Sequence, residues 1–411
     1  MRILVNPGVL APVGGIELNT LQVTRELHAR GHVISALYRE SGDLLPDWEA
    51  MTEELVQVPG FDAVGRTLVR DVPRLLPAVR AARALKPDVV YLNRCEQLIW
   101  GVLASRWSRA KLVVHLHNRP TFPGIPVFGR LTSAFAAVSA DIRREWVKAG
   151  VPADRVTVVH NGIDPADYPA TGLVERAAAR TALGLDPTAY VVLYYGRAAP
   201  EKGVDVLLEA WRQFDDTGAH LVVVADGTDG GSDYASSLRR GLPDSVTWLP
   251  MRRDVSQVLD AADVVVLPAQ WEEPFGRVVI EGMATGRPVI ASRVGGIPEI
   301  LTGEFEQFLV SPGDADGLAT KLAAVRDWRS QDADLGRRCT QHVLDHFSLQ
   351  HSVDQVEQLL REAVGDRQRE VDPGAASQSS RLSPAELLHA VKNRIKSRSS
   401  AVKNKGKGGA R

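Results

Sequence analysis

Short apolar runs alternate along this sequence with longer stretches in which apolar residues recur at helical spacing. Runs rich in β-branched residues predict strands in the first 160 residues at RILVN, HVISALY, DVVYL, KLVVHL, AFAAVS and VTVVH. The stretch IELNTLQVTRELHAR predicts a helix that ends at Gly31, a residue type common just past helix C-termini. Continuous apolar strands separated by helices predict a parallel sheet covered on both faces.

A second array of the same kind follows a Pro-, Gly- and Asp-rich pause at NGIDPADYPATG. Its predicted strands are YVVLYYG, HLVVVADG, VTWLP, DVVVLPA and RPVIASR, again with helices between them. Two successive arrays predict two Rossmann-like domains, over residues 1–165 and 170–345, with a boundary near 162–172. The pattern alone does not place the helical stretch near 350–364 in either domain, and a polar linker and tail over 366–411 follow it.

Composition narrows the class of protein and its compartment. The 411 residues carry a formal net charge of −1, so the whole molecule presents no strong field for nucleic acid, and no nucleic-acid partner is expected. Only Cys95 and Cys339 are present, which excludes a disulfide framework and favours a reducing compartment. The first residues, MRILVNPGV, lack the apolar core of a signal peptide, so we expect a cytoplasmic protein.

The last segment differs in charge from the rest of the chain. Residues 378–411 contain nine Lys or Arg and one acid, a net charge of +8. Within them SPAELLHAVKNRIKSR predicts an amphipathic helix with Ser383 as its N-cap. Two interpretations stay open: peripheral contact of residues 383–411 with an anionic membrane at its cytoplasmic face, or a solubilising tail. The sequence leaves the oligomeric state unassigned.

A double glycine follows the first predicted strand, in PVGGIELNT. Gly14 and Gly15 open the next helix, where bare backbone amides suit a phosphate or a sugar hydroxyl. A plain turn is the alternative. The spacing does not match the G-x-G-x-x-G fingerprint of dinucleotide-binding proteins, which argues against an NAD enzyme.

The stretch YYGRAAPEKGVDVLLEA predicts an anion site. A strand ends at Gly196, and Arg197 and Lys202 then flank a short loop before a helix that begins near Val204. Cations at the positive end of a helix are locally unfavourable, and a bound diphosphate would compensate them. The alternative is a solvated loop with scattered charges.

Two acids stand eight positions apart in EEPFGRVVIEGMATGRPVIASRVGGIPE. Glu273 lies past the carboxyl end of the predicted strand DVVVLPA, where ligands bind in open parallel sheets. Gly276 is expected to open a helix that carries Glu281 in its first turns, and Glu299 lies near a second glycine-backed helix start. The acids could be surface residues stabilised by a helix dipole, an acid/base pair, or acceptors for ligand hydroxyls.

Two patterns in the sequence could indicate a metal site, and neither does so. His115 and His117 end a strand two positions apart and so point to the same face, but no nearby residues complete a metal site. Two Asp-x-Asp pairs precede helical runs and are interpreted as N-caps and first-turn acids: Asp314 with Asp316, and Asp332 with Asp334. No metal is expected.

Five ordered elements resemble the retaining GT-B glycosyltransferases of family 4, over residues 1–365. The family's E-x7-E motif appears as Glu273–Glu281, with Phe275-Gly276 inside it. Its G-R-x-x-x-x-K-G element runs from Gly196 to Gly203, and its N-G-x-D signature runs from Asn161 to Asp164. The Gly-Gly loop and the strand-end His117 complete the order. The chain departs from the pattern at His160, where the family often has proline, and at the extra acid Glu272.

The resemblance implies a GT-B fold: two Rossmann-like domains with parallel sheets facing across a cleft, and a C-terminal helix over 346–365 that crosses back to the first domain. It also implies a donor that is a nucleotide-diphosphate sugar, UDP- or GDP-linked, with no other cofactor. The implied roles are as follows: Arg197 and Lys202 grip the diphosphate; Glu273 contacts the donor sugar; Glu281 contacts the ribose; His117 lies near the reaction centre; and Gly14, Gly15, Gly196, Phe275, Gly276, Arg277 and Val278 line the donor.

Under this resemblance the expected reaction is transfer of the sugar to an acceptor hydroxyl on a polysaccharide, glycolipid or small molecule. Two fixed cations would stabilise the diphosphate leaving group without a metal, and the leaving phosphate oxygen would deprotonate the acceptor on the same face. The acceptor is expected to meet the first domain, through NRPTFPGIPVFGR. A sugar-nucleotide epimerase of related fold, and a docking role for the basic tail, are the alternatives.

Overall fold

The computed structural model describes residues 1–371 except 13, 62–67, 122–123, 215, 226–231 and 253. The basic segment 383–411, to which the membrane hypothesis applies, lies outside the described residues. The chain forms two compact units: unit 1 comprises 1–137, 142–159 and the residues from Val353 onward, and unit 2 comprises 138–141 and 160–352. Among the described residues, no helix combines the length and the apolar character that a membrane span requires.

Unit 1 contains a seven-stranded parallel sheet in the order β3-β2-β1-β4-β5-β6-β7. Its strands are β1 (Arg2–Val9), β2 (Val33–Glu40), β3 (Glu54–Gln57), β4 (Val89–Leu92), β5 (Lys111–Leu116), β6 (Ala134–Ala137) and β7 (Val156–Val158). The helices in this part of the chain are α1 (Gly15–Ala29), α2 (Leu45–Met51), α3 (Leu68–Ala84), α4 (Leu98–Ser108), α5 (Ile125–Arg130) and α6 (Ala140–Lys148).

Unit 2 contains a six-stranded parallel sheet in the order β10-β9-β8-β11-β12-β13. Its strands are β8 (Tyr190–Tyr195), β9 (Ala219–Val224), β10 (Val246–Leu249), β11 (Val264–Leu267), β12 (Val289–Ser292) and β13 (Leu309–Val310). The helices from here to the end are α7 (Leu173–Ala182), α8 (Val204–Gln213), α9 (Ser232–Arg239), α10 (Ser256–Ala261), α11 (Arg277–Ala284), α12 (Ile297–Ile300), α13 (Ala315–Ala324), α14 (Trp328–Gln331), α15 (Leu335–His346) and α16 (Leu349–Val371).

The predicted pair of parallel α/β arrays is confirmed. The central strands β4, β8 and β11 are buried at every position, as expected for strands covered by helices on both faces. The sequence analysis missed β3 and β13. The first is an edge strand with exposed ends and only half-buried central residues, and the second is two residues long, so neither produces a recognisable apolar run.

The predicted end of the first helix is also confirmed. Helix α1 ends at Ala29, and Gly31 has φ of +84°, a conformation that glycine adopts without steric cost. The Gly31 amide donates to the His28 carbonyl at 2.9 Å, and the His32 amide donates to the Leu27 carbonyl at 3.2 Å. These two bonds form a Schellman motif, which satisfies carbonyls that the helix end leaves open.

The last described helix, α16, is anchored in unit 1 through a half-buried carboxylate, that of Glu357. It continues through Val371, into the segment for which the sequence predicts a linker. Glu357 accepts from Arg30 Nη1 at 2.9 Å and lies 3.1 Å from His32 Nε2. Arg361, one turn further along the helix, donates to the same carboxylate at 2.5 Å. The hydrogen bond from Arg30, followed by those from Arg361 and His32, lowers the pKa of Glu357 to about 2.

Glu357→Gln is expected to loosen α16 by about 1–3 kcal/mol at neutral pH, because a hydrogen-bonded ionised group is replaced by a neutral amide. A depressed carboxyl pKa contributes stability that is present above its unfolded value near 4.5 and lost as pH falls through about 2. The difference between wild type and variant should therefore be constant above about pH 5 and shrink below it. Native-state hydrogen exchange in α16 measures it. Glu362→Gln, at an exposed position of the same helix, is the control and should change little; equal effects of the two substitutions would contradict the assignment.

Unit 2 is tied together near the amino ends of its strands by Asp263. This side chain is 9% exposed and accepts from Arg180 Nη2 at 2.5 Å, Arg176 Nη1 at 3.0 Å and Arg329 Nε at 3.1 Å. It also accepts from the Val191 amide at 2.9 Å. One carboxylate therefore links α7, the segment containing α14, and strand β8 to the start of β11.

Candidate functional site

The sheet of unit 2 reverses its strand order between β8 and β11. From β8 the chain moves outward to β9 and β10 on one side, while β11, β12 and β13 follow on the other. In open parallel sheets, the loops that leave the carboxyl ends of such a strand pair diverge and frame a ligand crevice. The loop after β8 runs from Gly196 to Gly203, and the loop after β11 contains Glu273. Both sequence-predicted motifs therefore lie at this point of the sheet.

Two of the predicted site residues form an ion pair with each other. Lys202 Nζ lies 2.5 Å from Glu273 Oε2, and both side chains are 19% exposed. The ammonium on one loop thus balances the carboxylate on the other. Arg197 is more open: its side chain is 55% exposed, and its Nη2 lies 3.2 Å from Glu201. The site presents two cations, one half-buried and one at the surface.

Backbone contacts fix the two loops against each other. The Glu201 carbonyl accepts from the amides of Gln270 at 3.0 Å and Trp271 at 3.3 Å. Gly203 has φ of +70°, and a Cβ there would overlap the Pro268 carbonyl oxygen, so only glycine allows this approach. Trp271, in the same loop as Glu273, is 66% exposed, which is unusual for so large an apolar side chain.

Phe275 and Gly276 have different roles: Phe275 packs in the core, and Gly276 forms the turn before α11. The Phe275 ring is 2% exposed, with ring centroids 5.7 Å from His160 and 5.9 Å from Phe347, so it supports the loop from beneath. Gly276 has φ of +99° and caps α11, which begins at Arg277 as the sequence predicts. Gly196 directly follows β8 and has φ of +149°.

Glu281 lies on α11 in a hydrogen-bonded cage. It is 8% exposed, and its Oε1 accepts from Arg277 Nε at 3.1 Å. Its Oε2 accepts from the Tyr195 hydroxyl at 2.8 Å, and the same hydroxyl lies 3.5 Å from the Val278 carbonyl. Burial raises the pKa of Tyr195 well above its ordinary value, and the Glu281 carboxylate raises it further, so the phenol is a neutral donor.

The second double glycine supports the Glu273 loop. The Gly296 amide donates to the Glu273 carbonyl at 2.9 Å. Gly295 has φ of +55°, and a Cβ on it would overlap the Glu273 carbonyl oxygen. The glycines of SRVGGIPE therefore allow one backbone to pack directly on another, which explains why they follow the paired acids.

Gly295→Ala is expected to displace Glu273 and weaken ligand binding at this site by about tenfold or more, because the overlap is with backbone rather than with a flexible side chain. Gly303→Ala is a matched control. Gly303 has φ of +58°, but a Cβ there meets nothing within 4 Å, so it bears only the strain of the left-handed conformation. Melting temperature and nucleotide affinity should be measured for both. Equal affinities in the two variants would show that Gly295 does not position Glu273.

Glu299 and His160 join the segment at 138–141 to the same loop region. Glu299 accepts from the amides of Ala140 at 2.8 Å and Asp141 at 3.1 Å, and its Oε2 lies 3.1 Å from His160 Nε2. The hydrogen bond from His160 and those from the two amides outweigh burial and lower the pKa of Glu299. His160, where the family often has proline, thus contributes a side chain that proline lacks.

The sheet of unit 1 also reverses its order, between β1 and β4, and carries a polar cluster there. Gly14 is the N-cap of α1, which begins at Gly15. Glu17, in the first turn, is 6% exposed and forms an ion pair with Arg94, which directly follows the loop residue after β4. The backbone of Gly14 is extended, a conformation that any residue can adopt, so the start of α1 does not require a glycine for its backbone angles.

Amide side chains fill the rest of this cluster. Asn6 on β1 donates to Gln97 at 2.7 Å and accepts from the Gly8 amide at 3.0 Å. Asn93, the first residue after β4, is 1% exposed, and neither of its amide atoms has a partner among the described residues. A buried amide without a partner is costly, and a bound polar ligand would satisfy it.

The histidines lie where the sequence predicts. The rings of His115 and His117 have centroids 4.3 Å apart, which confirms that they share a face at the end of β5. Burial lowers the pKa of His115 to about 4, and its Nδ1 lies 2.8 Å from the Tyr91 hydroxyl. His117 is 6% exposed and belongs to unit 1. Nearby Asn118 donates to Glu96 at 3.2 Å, at the start of the predicted acceptor segment.

The Asp-x-Asp pairs are structural. Asp314 caps α13 by accepting from the Gly317 amide at 2.8 Å, as predicted. Asp334 is at the N-cap position of α15, but its side chain accepts no capping hydrogen bond. Asp332 instead accepts from both Nη atoms of Arg338. No group of three or more His, Cys, Asp or Glu suited to a metal ion occurs among the described residues.

Several residues of the two sites were absent from the sequence analysis: Tyr195, Glu17, Asn93 and Arg94. Each lies at the end of a predicted strand, in the two residues after one, or in the first turn of a predicted helix. Reading every polar residue at those positions as a candidate would have found them. Their partners depend on strand order, which the apolar pattern does not reveal.

Comparison with known proteins identifies the family of this chain. Residues 13–167 match the model of Glycosyltransferase Family 4, and residues 175–342 match that of Glycosyl transferases group 1. A D-inositol 3-phosphate glycosyltransferase of Mycolicibacterium gilvum is 35% identical over 219 residues, which cover 52% of this chain and 48% of that protein. One from Mycobacterium marinum is 33% identical over 241 residues, covering 54% and 49%. The chain thus spans about half the length of the curated relatives it matches.

Solved structures extend the likeness over most of the chain. Anabaena HepE in complex with UDP and glucose has a TM-score of 0.76 at 26% identity, covering 88% of this chain and all of that one. The two family models together match most of the residues of both units. With its two parallel Rossmann-like units, the chain belongs to glycosyltransferase family 4 and has the GT-B fold.

Proposed function

We propose that this chain transfers a sugar from a nucleotide-diphosphate sugar to an acceptor hydroxyl, with retention at the anomeric carbon and without a metal ion. The observation that carries the proposal is the Lys202–Glu273 pair at the point where the sheet of unit 2 reverses, with Arg197 beside it. Anabaena HepE, solved with UDP and with UDP-glucose, supports a uridine carrier. The curated relatives are named as glycosyltransferases.

In this mechanism the donor diphosphate binds between Arg197 and Lys202. Lys202 exchanges its partner: its ammonium turns from Glu273 to the phosphate, and Glu273 becomes free to accept from hydroxyls of the donor sugar. Negative charge grows on the phosphate oxygen as the bond to the anomeric carbon breaks, and two fixed cations stabilise that charge. The leaving oxygen takes the proton of the acceptor hydroxyl on the same face.

We place the acceptor against unit 1. Its polar cluster of Asn6, Asn93, Arg94 and Gln97 offers donors and acceptors, with the unpartnered Asn93 amide as the strongest indication of a polar ligand. The described parts of the predicted acceptor segment, residues 118–121 and 124–130, would add a further contact surface. A polyhydroxylated acceptor matches a cluster of amides better than an apolar one, because each hydroxyl can both donate and accept.

A panel of UDP-, GDP- and ADP-linked sugars, scored by the rise in melting temperature, tests the donor. UDP-sugars are expected to stabilise the protein. Product formed with an acceptor should keep the anomeric configuration of the donor by proton NMR, and a chelator should leave the rate unchanged. Failure of every sugar nucleotide to stabilise the protein would overturn the proposal, as would conversion of the donor to an epimer without acceptor.

Membrane contact through residues 383–411 stays a hypothesis. Nine cations against one acid in residues 378–411 motivate it. Binding to vesicles that contain anionic lipid is expected to fall when residues 378–411 are removed. Unchanged binding of the shortened chain would remove this hypothesis without affecting the proposed transfer reaction.

A further inference from the structure

We propose that unit 2 contains a second binding site, for the phosphate group of a small phosphorylated molecule, near the amino ends of its strands. A cavity of about 620 Å³ lies there, within the size range of small-molecule sites. Its lining comes from the start of α7 and the residues before it, from the residues directly after α11, and from α14 and α15. This site is separate from the proposed donor site, because Lys202 and Glu273 do not line it.

The cations around this cavity outnumber the acids that pair with them. Four arginines share two aspartates in ion pairs within the described part of unit 2: Arg176, Arg180, Arg287 and Arg329, with Asp260 and Asp263. Four positive charges against two negative ones leave an excess of two. Arg287 and Arg329 line the cavity itself. A phosphate ester carries a charge of about −1.5 to −2 at neutral pH, which matches that excess.

The buried arginines of this cluster are poorly compensated. Burial, followed by the positive charge of Arg329, lowers the pKa of Arg287 to about 10. Burial also lowers the pKa values of Arg180 and Arg329 in spite of the attraction of Asp263, and Asp186 attracts Arg180 only from an exposed position. An anion in the cavity would offset this charge, so the cluster favours a negative ligand over a neutral one.

Arg329 presents hydrogen-bond donors to the cavity. Its Nε donates to Asp263 at 3.1 Å, and its guanidinium carbon lies 4.2 Å from the centroid of the Trp328 ring. These two contacts fix the plane of the guanidinium group, whereas neither of its Nη atoms has a partner among the residues that the structure describes. The two Nη groups of a fixed guanidinium match two oxygens of one phosphate.

The first turn of α15 adds a backbone donor. Gly336 lines the cavity, and its amide has no acceptor in the described part of the chain. The N-cap residue, Asp334, makes no side-chain capping bond to this turn. A Cβ on Gly336 would lie 2.8 Å from the Gly286 carbonyl oxygen, so a larger residue does not fit here. The positive end of a 12-residue helix therefore meets the same cavity as Arg329.

The end of α11 also borders the cavity, and the carbonyls at a helix C-terminus repel anions. Here the last four carbonyls of the helix all have donors. They accept from the amides of Thr285, Gly286 and Arg287 and, at 3.0 Å, from the Thr340 hydroxyl. Because these carbonyls are already hydrogen-bonded, the arginines determine the sign of the charge that the cavity favours.

The cavity is larger than a phosphate ion, and part of its lining is polar without being charged. Thr340 lines it and can accept through its hydroxyl. Gln341 lines it as well; its Nε2 donates to Asp345 at 2.7 Å, which leaves the amide oxygen to accept from a ligand. Groups of this kind suit the hydroxyls of a sugar phosphate better than an apolar phosphate ester.

Calorimetric titration of the full chain with inorganic phosphate and with ribose 5-phosphate tests the site. The two compounds share the phosphate dianion, and the comparison shows whether the free ion or the ester is the better ligand. Saturable binding of at least one is expected. Arg329→Gln should weaken it about tenfold or more, the effect of losing a charged hydrogen-bond donor. Lys202→Ala should retain it, because Lys202 lies at the carboxyl edge of the sheet.

A second variant keeps every arginine in place. Ala333 is exposed and lines the cavity, so Ala333→Glu adds a negative charge there without removing a structural contact, and it should abolish phosphate binding. Arg326→Gln is the matched control. Arg326 is 40% exposed, pairs with Asp216 and Asp327, and does not line the cavity. Its loss removes the same charge from the same part of the chain and should leave the affinity unchanged.

The outcomes decide the proposal without any measurement of sugar transfer. Absence of saturable binding by both compounds would overturn it. Binding that is lost in Lys202→Ala and kept in Arg329→Gln would overturn it too, because the anion would then occupy the proposed donor site. Equal weakening by Arg326→Gln and Arg329→Gln would reveal only an effect of net charge. If Arg329→Gln does not fold, normal phosphate affinity in Ala333→Glu excludes the cavity as the site.

Discussion

Lys202→Ala is expected to lower the rate of sugar transfer by about a hundredfold or more while the fold persists. The reason is twofold. The substitution removes a cation that would face the leaving diphosphate, which typically costs a few kcal/mol of transition-state stabilisation. It also leaves Glu273, which lies 2.5 Å from Lys202 Nζ, as an unbalanced negative charge beside the place where phosphate charge must grow.

Steady-state kinetics with the donor identified by the melting panel measures the loss as kcat/KM. Glu273→Ala should be similarly inactive, and the double variant should lose less than the sum of the two effects, since the two residues act as a pair. Arg212→Ala is the control: Arg212 lies near the end of α8, its side chain is 58% exposed, and its Nη1 donates to Glu209 at 2.9 Å. A near-normal rate for Lys202→Ala with a folded protein would remove the pair from the mechanism.

The apolar pattern predicted most of the fold because buried parallel strands produce it directly. A strand covered on both faces must be apolar at every position, as in β8 and β11. Edge strands are under no such demand. β3 begins and ends with exposed residues, and β13 is too short to create a run, so neither could be read from the sequence.

The site was predicted as a set of positions rather than as a set of contacts. Strand ends and helix starts place Lys202 and Glu273 at the carboxyl edge of a sheet, but only the adjacency of β8 and β11 makes them partners. The same adjacency brings Tyr195, at the end of β8, to Glu281 on α11. Pairings of this kind depend on strand order, which the alternation of strands and helices does not specify.

The role of the second double glycine illustrates the same limit. The sequence indicated a glycine-backed helix start near Glu299, and α12 does begin after Gly296. That Gly295 packs on the Glu273 carbonyl follows from how two loops meet, which no local pattern encodes. The glycines therefore contact the backbone of Glu273 and hold this acid in place, so the paired acids and the double glycine form one structural unit.

Asp263→Asn is expected to lower the free energy of unfolding of unit 2 by about 3–5 kcal/mol, without touching the proposed donor site. Three arginines donate to this carboxylate, and Arg180 among them is 2% exposed. An asparagine keeps the size and can still accept from the Val191 amide, but it carries no charge. Breaking a buried pair in this way leaves uncompensated cations in a poorly solvated environment, which is far more costly than losing the pair at the surface.

Asp332→Asn provides the comparison. Asp332 also accepts two bonds from an arginine, at 3.0 and 2.7 Å from Arg338, but its side chain is 44% exposed and that of Arg338 is 31% exposed. Water can replace the lost partner there, so a much smaller loss of stability than for Asp263→Asn is expected. Hydrogen exchange of the β8 amides reports the opening of unit 2 directly and does not require the whole chain to unfold in one step. Equal protection in the two variants would mean that Asp263 contributes no more to the stability of unit 2 than an exposed ion pair does.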